Sequence, residues 1–334
     1  MPTTRTPNPP RPAADPGTTS HPGAHAAVPP GGPRDASEDR AAGAGPRWAR
    51  RVRVRLPVLL VAVVVMWTLV QGSLVVVLGE DPFDNAHPWV TLLLGVSGSV
   101  LTLAVYAWLV RRLEGRRVVE LAPRAAVGGV ARGMVIGAVM SASVYGVLAA
   151  LGCFRVTGTG PLDSLATIVG IMSTAAVIEE LIFRGVVFRV LETRLGTWAA
   201  LAVSAALFGL MHLVNNPHAT AWVAVAIALE AGVMFAAAYA ATRTLWLPIG
   251  LHLAWNVLGS AVGASPVGNI DEIPPSPLTS VLEGPAALVG SGYGPEAGIP
   301  AVVAGLLVGV AFLVLAARRG NLRPADLRAR RAGG

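Results

Sequence analysis

Three apolar stretches of this chain carry polar residues of the kind that hydrolyse amides. Glu179, Glu180 and Arg184 lie in VIEELIFRG, Phe208 and His212 in LFGLMH, and His252 and Asn256 in LPIGLHLAWN. A charged group placed where lipid should be costs from about 2.5 kcal/mol upwards, so each needs a reason to be there. Glu180 and Arg184 are four residues apart, share a helix face and can pair. Their plainest role is a buried ion pair that fixes helix packing. Glu179 is turned about 100° from Glu180, so that pairing leaves it unexplained. An unpartnered buried carboxylate is expensive, which favours a functional role for Glu179. A lone His such as His212 on an apolar helix is more often a packing residue than a catalyst. His252 and Asn256 project to one side of their helix. Pro248, four residues before His252, leaves the carbonyl of Thr244 without its usual partner, and a helix beginning at Pro248 would set His252 near a positive helix end. Glu230, in ALEAGVMF, is either a fourth wall of a site or an isolated buried carboxyl. Each feature has a bland explanation alone; their joint occurrence between residues 179 and 256 points to one site.

Amide hydrolysis needs a base to activate water, donors for the oxyanion, and access for the water. Glu179 is the candidate base, with His212 sharing the proton or orienting the water. His252 and Asn256, side by side, are candidate oxyanion donors. No GxSxG elbow is present, and the single cysteine, Cys153, has no helical His partner, so nucleophilic catalysis is disfavoured. Two His and one carboxylate also suit catalytic zinc. A divalent metal such as zinc on Glu179, His212 and His252 is therefore the alternative to a metal-free site, and with HExxH absent the spacing does not choose between them.

The elements that must hold these residues are membrane helices. Of 334 residues, 53% are hydrophobic and only 13% charged, against about 25% charged in an ordinary soluble domain. Apolar runs recur near 56–78, 89–110, 133–153, 164–190, 198–214, 220–241, 245–263 and 299–317, most of them close to the roughly 20 residues that span a bilayer. The expected fold is thus all-α: a polytopic transmembrane helical bundle of about eight spans. All 26 basic residues are Arg, and nearly all are gathered in the tails and short loops. The N-terminal tail, the 111–132 loop, Arg194, Arg243 and the C-terminal tail alternate with loops holding Glu80, Asp81, Asp84, Asp163, Asp271, Glu272, Glu283 and Glu296, and a single Arg155. By the positive-inside rule both termini are cytoplasmic, in a plasma membrane. This distribution orients helices and argues against a nucleic-acid partner. Small residues four apart, Gly133 with Gly137 and Gly305 with Gly309, let helices approach closely, with packing inside the chain favoured over a dimer.

EELIFR at 179–184, FGLMH at 208–212 and HLAWN at 252–256 match the motifs EExxxR, FxxxH and HxxxN. In this order on apolar helices, they resemble the CPBP family: CAAX prenyl proteases of the second type and bacterial bacteriocin-processing or Abi-like membrane proteins. A weaker match, Arg117 with Leu121 in RRVVELAP, resembles the amphipathic entry segment of many members. The resemblance covers roughly 115–260. It implies an intramembrane endopeptidase of glutamic or metallo type, with Glu179 as base assisted by His212, His252 and Asn256 stabilising the oxyanion, and Glu180 and Arg184 in support, alongside Phe208. It implies a peptide or membrane-protein substrate within the lipid bilayer, and no protein partner is indicated. The chain's end, RRAGG, is no CAAX box. By the span limits Glu179 sits mid-membrane, His212 toward the outside and His252 nearer the cytoplasm, so tilted or shifted helices must bring them level.

The expected organisation is a disordered tail over 1–46, two N-terminal spans over 47–114, the protease core over 115–263, an external Pro/Gly-rich and irregular loop over 264–298, and a last span with a basic tail over 299–334. Two other function classes fit the same residues. A proton- or cation-coupled transporter would use the buried carboxylates as a relay, although no inverted repeat is visible. A non-catalytic membrane scaffold or immunity protein would use the motif residues for structure alone.

Overall fold

The computed structural model describes residues 52–78, 87–214, 219–263 and 275–325. The 1–46 tail, the Arg47, Arg50 and Arg51 cluster, the turn with Asn215, Asn216 and His218, and the acidic residues near 80–84 and 271–272 lie outside them. The described chain is mostly helical: α1 (Val52–Leu78), α2 (Pro88–Leu109), α3 (Ala126–Ala150), α4 (Ser164–Glu180), α5 (Arg189–Met211), α6 (Ala221–Ile227), α7 (Val233–Thr242), α8 (Trp246–Ala261), the single-turn α9 (Ala286–Val289) and α10 (Ile299–Arg318). Wide π turns over Leu181–Phe188 and Ala228–Gly232 join α4 to α5 and α6 to α7. Among the described residues five helical stretches are long and apolar enough to cross a membrane: Pro88–Glu114, Pro123–Ala150, Ser164–Met211, Ala221–Thr242 and Ile299–Arg318. The third is broken at Gly196, whose φ of 76° and ψ of 173° are non-helical, so this stretch is two helices that meet at a kink.

Apolar and polar residues are distributed as lipid demands. On α2 the buried stripe is Thr91, Gly95, Ser99, Thr102 and Tyr106, all small or polar apart from the tyrosine. Its outward face carries Leu93, Val96, Val100 and Leu101. Trp89 and Trp108 are both exposed near its two ends. They stand about 28 Å apart along the helix at 1.5 Å per residue, matching the hydrocarbon thickness that aromatic belts bracket.

Close approach depends on glycine. A Cβ on Gly133 would lie 2.2 Å from the Leu247 carbonyl oxygen, and one on Gly137 would lie 2.5 Å from that of Leu251. α3 therefore seats directly on α8, the helix that carries His252, and the glycine pair packs within the chain as expected. Gly305 of α10 meets the backbone of Glu230 in the same way, at 2.5 Å from its carbonyl oxygen.

Two features depart from the expectation. The fold is not purely helical: β1 (Phe154–Thr159) pairs antiparallel with β2 (Leu278–Leu282), from Phe154 opposite Leu282 to Thr159 opposite Leu278. The loop expected to be irregular, with room for a short helix, holds that helix as α9 together with two 3₁₀ turns at Ser291–Tyr293 and Pro295–Ala297, and the strand β2 that was not expected. β1 exposes four of its six residues and β2 one of its five, so neither strand shows a clear alternation to read. The second departure concerns the Arg-rich loops, which are organised by Glu114, Glu120 and Glu192 as well as by their arginines. Arg116 bonds Glu114 and Glu120, Arg189 reaches across to Glu114 at 2.7 and 2.8 Å, and Arg243 pairs with Glu192. Around Arg117 and Leu121 the chain forms 3₁₀ turns over Val119–Leu121 and Pro123–Ala125, with Glu120 and Leu121 turned inward.

Candidate active site

Glu179 and Glu180 end α4, immediately before the π turn, so the two carboxylates leave the helix in different directions. Glu180 points into the bundle and is fully buried beside Arg184, also fully buried, at 2.8 Å between Oε1 and Nη1. Arg184 Nη2 donates to the carbonyls of Ala231 and Gly232 at 3.3 and 3.1 Å, bridging to the second π turn. Its guanidinium lies 4.6 Å from the centre of the Phe208 ring and 5.1 Å from that of Phe235. The ion pair expected from the spacing is present, and its remaining charge faces rings and carbonyls instead of lipid. Wide helical turns recur at functional sites because they turn side chains away from the regular register. Here both turns border buried carboxylates, the second holding Glu230 itself.

α8 begins at Trp246, two residues before Pro248, where a proline ring is tolerated in the first turn. The carbonyl of Thr244 accepts a bond from the Thr242 hydroxyl at 3.2 Å, which replaces the donor that Pro248 lacks. From this helix His252 enters the carboxylate pair. Its Nδ1 is 3.2 Å from Glu180 Oε1, and its Nε2 is 3.7 Å from Glu179 Oε2, too long for a hydrogen bond. The ring stacks on Phe235 at 4.6 Å and 22°. With Nδ1 committed to Glu180, the other nitrogen is presented toward Glu179. Glu180 Oε1 thus serves Arg184 and His252 together. Glu179 is the more open carboxylate, its side chain 20% exposed against 0% for Glu180.

The remaining predicted residues surround this pair. His212 closes α5, buried, with Nδ1 2.8 Å from the carbonyl of Phe208. It meets the group through Phe208, whose ring stands 4.9 Å from His212 and 6.1 Å from His252. Asn256 lies one turn beyond His252 on α8, half-buried. Glu230 is fully buried, and among the described residues neither of its oxygens has a hydrogen-bond partner; Glu179 Oε2 and Glu180 Oε2 have none either. The bundle thus brings Glu179, Glu180, Arg184 and His252 into contact, and the expected mismatch in depth between α4 and α8 does not arise. Phe235, which aligns His252, gave no signal in the sequence because any buried aromatic would read alike.

Among the described residues no group of three or more His, Cys, Asp and Glu side chains is placed to hold a metal ion. The Glu179, His212 and His252 set does not gather as ligands in this arrangement, so no step is derived through a metal.

A family profile described as type II CAAX prenyl endopeptidase Rce1-like matches residues 161–258, from the turn before α4 to α8. Over these residues the chain is similar to that family. The match contains all eight predicted site residues and ends before α9, α10 and β2. The chain is also 29% identical over 108 residues to the Bacillus subtilis (strain 168) protein named "Putative membrane peptidase YdiL", which covers 32% of this chain and 41% of that relative's length. No solved structure matches the chain. The matched region accordingly holds the helices that carry the site, while α1, α2, α3, β1 and everything after Leu258 stand outside it.

Proposed function

We propose that this chain is an integral membrane endopeptidase that hydrolyses a peptide bond with water activated by Glu179. The observation that carries this reading is the asymmetry of the carboxylate pair. Glu180 is sealed from solvent and spends its Oε1 on both Arg184 and His252, whereas Glu179 is 20% exposed and holds Oε2, unpartnered among the described residues, 3.7 Å from His252 Nε2. In the reaction the water oxygen attacks the peptide carbonyl carbon as its proton passes to Glu179. The C–N bond of the tetrahedral intermediate then breaks, and the proton is delivered to the leaving amine. His252, aligned by Glu180 and Phe235, and Asn256 one turn away are suited to stabilise the charge on the carbonyl oxygen. His212 assists from the far side of Phe208. Substrates are peptides or membrane proteins that reach the site from the bilayer.

The topology that goes with this reading has eight crossings in the plasma membrane and both termini in the cytoplasm. It is supported by the contacts of the Arg-rich loops with one another, Arg189 with Glu114 and Arg243 and Arg323 with Glu192. The pairing of β1 with β2 supports it from the two loops assigned outside. The reading is tested by incubating the purified protein in proteoliposomes with prenylated and unprenylated membrane peptides and identifying products by mass spectrometry, with metal content measured on the same samples. New peptide termini are expected. Proton flux without any cleavage would replace this reading with a transporter.

A further inference from the structure

A cleft of about 580 Å³ lies between α3, α10 and the turn from α7 to α8. None of the residues around Glu179 lines it. At one end stand Arg132, Arg319, Thr242 and Thr244. Arg319 follows the last residue of α10, and its Nη1 donates to the Ala241 carbonyl at 3.1 Å, which holds the charge beside the α7–α8 turn. Arg132 lies in the second turn of α3 and bends back toward the start of that helix, its Nη2 3.6 Å from where a Cβ on Gly128 would stand. Long basic side chains near the ends of membrane helices reach for the interface in this way, while their stems cover apolar surface. Both arginines are exposed, so a headgroup can reach them.

The other end is apolar. Val135 and Ile136 continue α3 away from Arg132, and Leu315 and Phe312 stand about 6 and 10 Å from Arg319 along α10 at 1.5 Å per residue. Both helices are long and apolar enough to cross a membrane, so this wall of the cleft runs into the hydrocarbon. Among the described residues that line the cleft there is no Asp or Glu. An anion at its polar end therefore meets two positive charges and no negative one. The chain's own C-terminal tail, with Arg328, Arg330 and Arg331, has the wrong charge to fill it. A phosphate joined to hydrocarbon has the right one, and basic pockets between membrane helices hold anionic headgroups for this reason.

We propose that this cleft is a binding site for one anionic phospholipid, its phosphate between Arg132 and Arg319 and an acyl chain along Ile136, Leu315 and Phe312. The lipid fills the seam between α3 and α10. It lies next to the contact of α3 with α8, because Leu247, whose carbonyl Gly133 approaches, lines the same cleft. The site does not depend on whether the chain cleaves peptides.

The test is native mass spectrometry of the full chain, delipidated in a neutral detergent and titrated with dioleoyl phosphatidylglycerol, dioleoyl phosphatidylcholine or glycerol 3-phosphate. Arg132→Gln, Arg319→Gln and the double variant are compared with Arg318→Gln, an exposed neighbour that does not line the cleft. The expected result is one phosphatidylglycerol held more tightly than phosphatidylcholine, weakened roughly 5-fold in each single variant and roughly 30-fold in the double variant, and unchanged in Arg318→Gln. Equal retention of the two lipids, or wild-type affinity in the double variant, overturns the proposal. Glycerol 3-phosphate bound as tightly as the lipid also overturns it, leaving a phosphate site with no place for the chains. A loss of the same size in Arg318→Gln reduces the effect to general surface charge and overturns it too. A wild-type dimer that comes apart in the double variant gives the face to a second copy of the chain, again against the proposal.

Discussion

At the scale of single residues, two adjacent glutamates have been given different work by one helical step. Glu180 is spent on structure: removing its partner by Arg184→Ala would leave a fully buried carboxylate facing His252 alone. That variant should lose about 3–5 kcal/mol of stability, seen as a large fall in melting temperature in detergent and as low yield. Asn256 makes the opposite case. It is half-buried and peripheral to the Glu180–Arg184 pair, so Asn256→Ala should fold normally and lose about two to three orders of magnitude in turnover, read from steady-state kinetics beside the melting curve. A melting temperature that fell as far as that of Arg184→Ala would make Asn256 a structural residue. These assignments were largely legible from spacing, because i and i+4 fix which side chains share a face. The role of His252 Nδ1 was not legible: that it binds Glu180, and so turns Nε2 to Glu179, depends on how α8 is rotated against α4.

At the scale of elements, the site depends on how closely α8 can approach α3. With a Cβ at Gly133 only 2.2 Å from the Leu247 carbonyl, Gly133→Ala must push α8 outward. It should cost about 1–3 kcal/mol and lower kcat by moving His252 off Glu179, although residue 133 touches no substrate. Unchanged kcat would show that His252 is not positioned by this contact. The loop network before α3 sets a second condition. Burial raises the Glu120 carboxyl's pKa, but the hydrogen bond and charge of Arg116, with the charge of Arg189, outweigh it and hold the group below its ordinary value. A folded-state pKa below the unfolded one stabilises the protein above the unfolded value, and the benefit is lost as pH falls through the folded value. Wild type should therefore lose more melting temperature on acidification than Glu120→Gln, which has no such proton to take up. Equal losses would show that the pair adds nothing. The sequence displayed this loop as a run of Arg beside helices, and the charge rule that reads orientation from it gives no weight to the acids that neutralise it. The helices themselves were visible because a long apolar run has few alternatives. The strands were hidden because they are five or six residues long and get their partners from distant loops.

At the scale of the whole molecule, the described helices bury a core of large and small apolar residues, among them Phe188, Phe208, Phe235 and Ala236–Ala238, leave others such as Leu93 and Leu307 exposed, and hold a polar site within that core. The eight-crossing reading puts β1 and β2 outside and the Glu192, Arg243 and Arg323 cluster in the cytoplasm. In intact cells a membrane-impermeant thiol reagent should therefore label Thr279→Cys, and it should label Arg323→Cys only after permeabilisation. Cys153 is buried and should stay silent in both. Labelling of both engineered sites from outside would break the topology. The account as a whole rests on Glu179 as the group that takes the proton from water, and Glu179→Gln tests this with almost no change in shape. Purified in nanodiscs beside wild type, the variant should keep the melting temperature and the peptide's KM and lose at least about 10²- to 10⁴-fold in single-turnover cleavage, the contribution of a positioned general base. Cleavage at the wild-type rate would contradict the account, because the water would then be activated elsewhere.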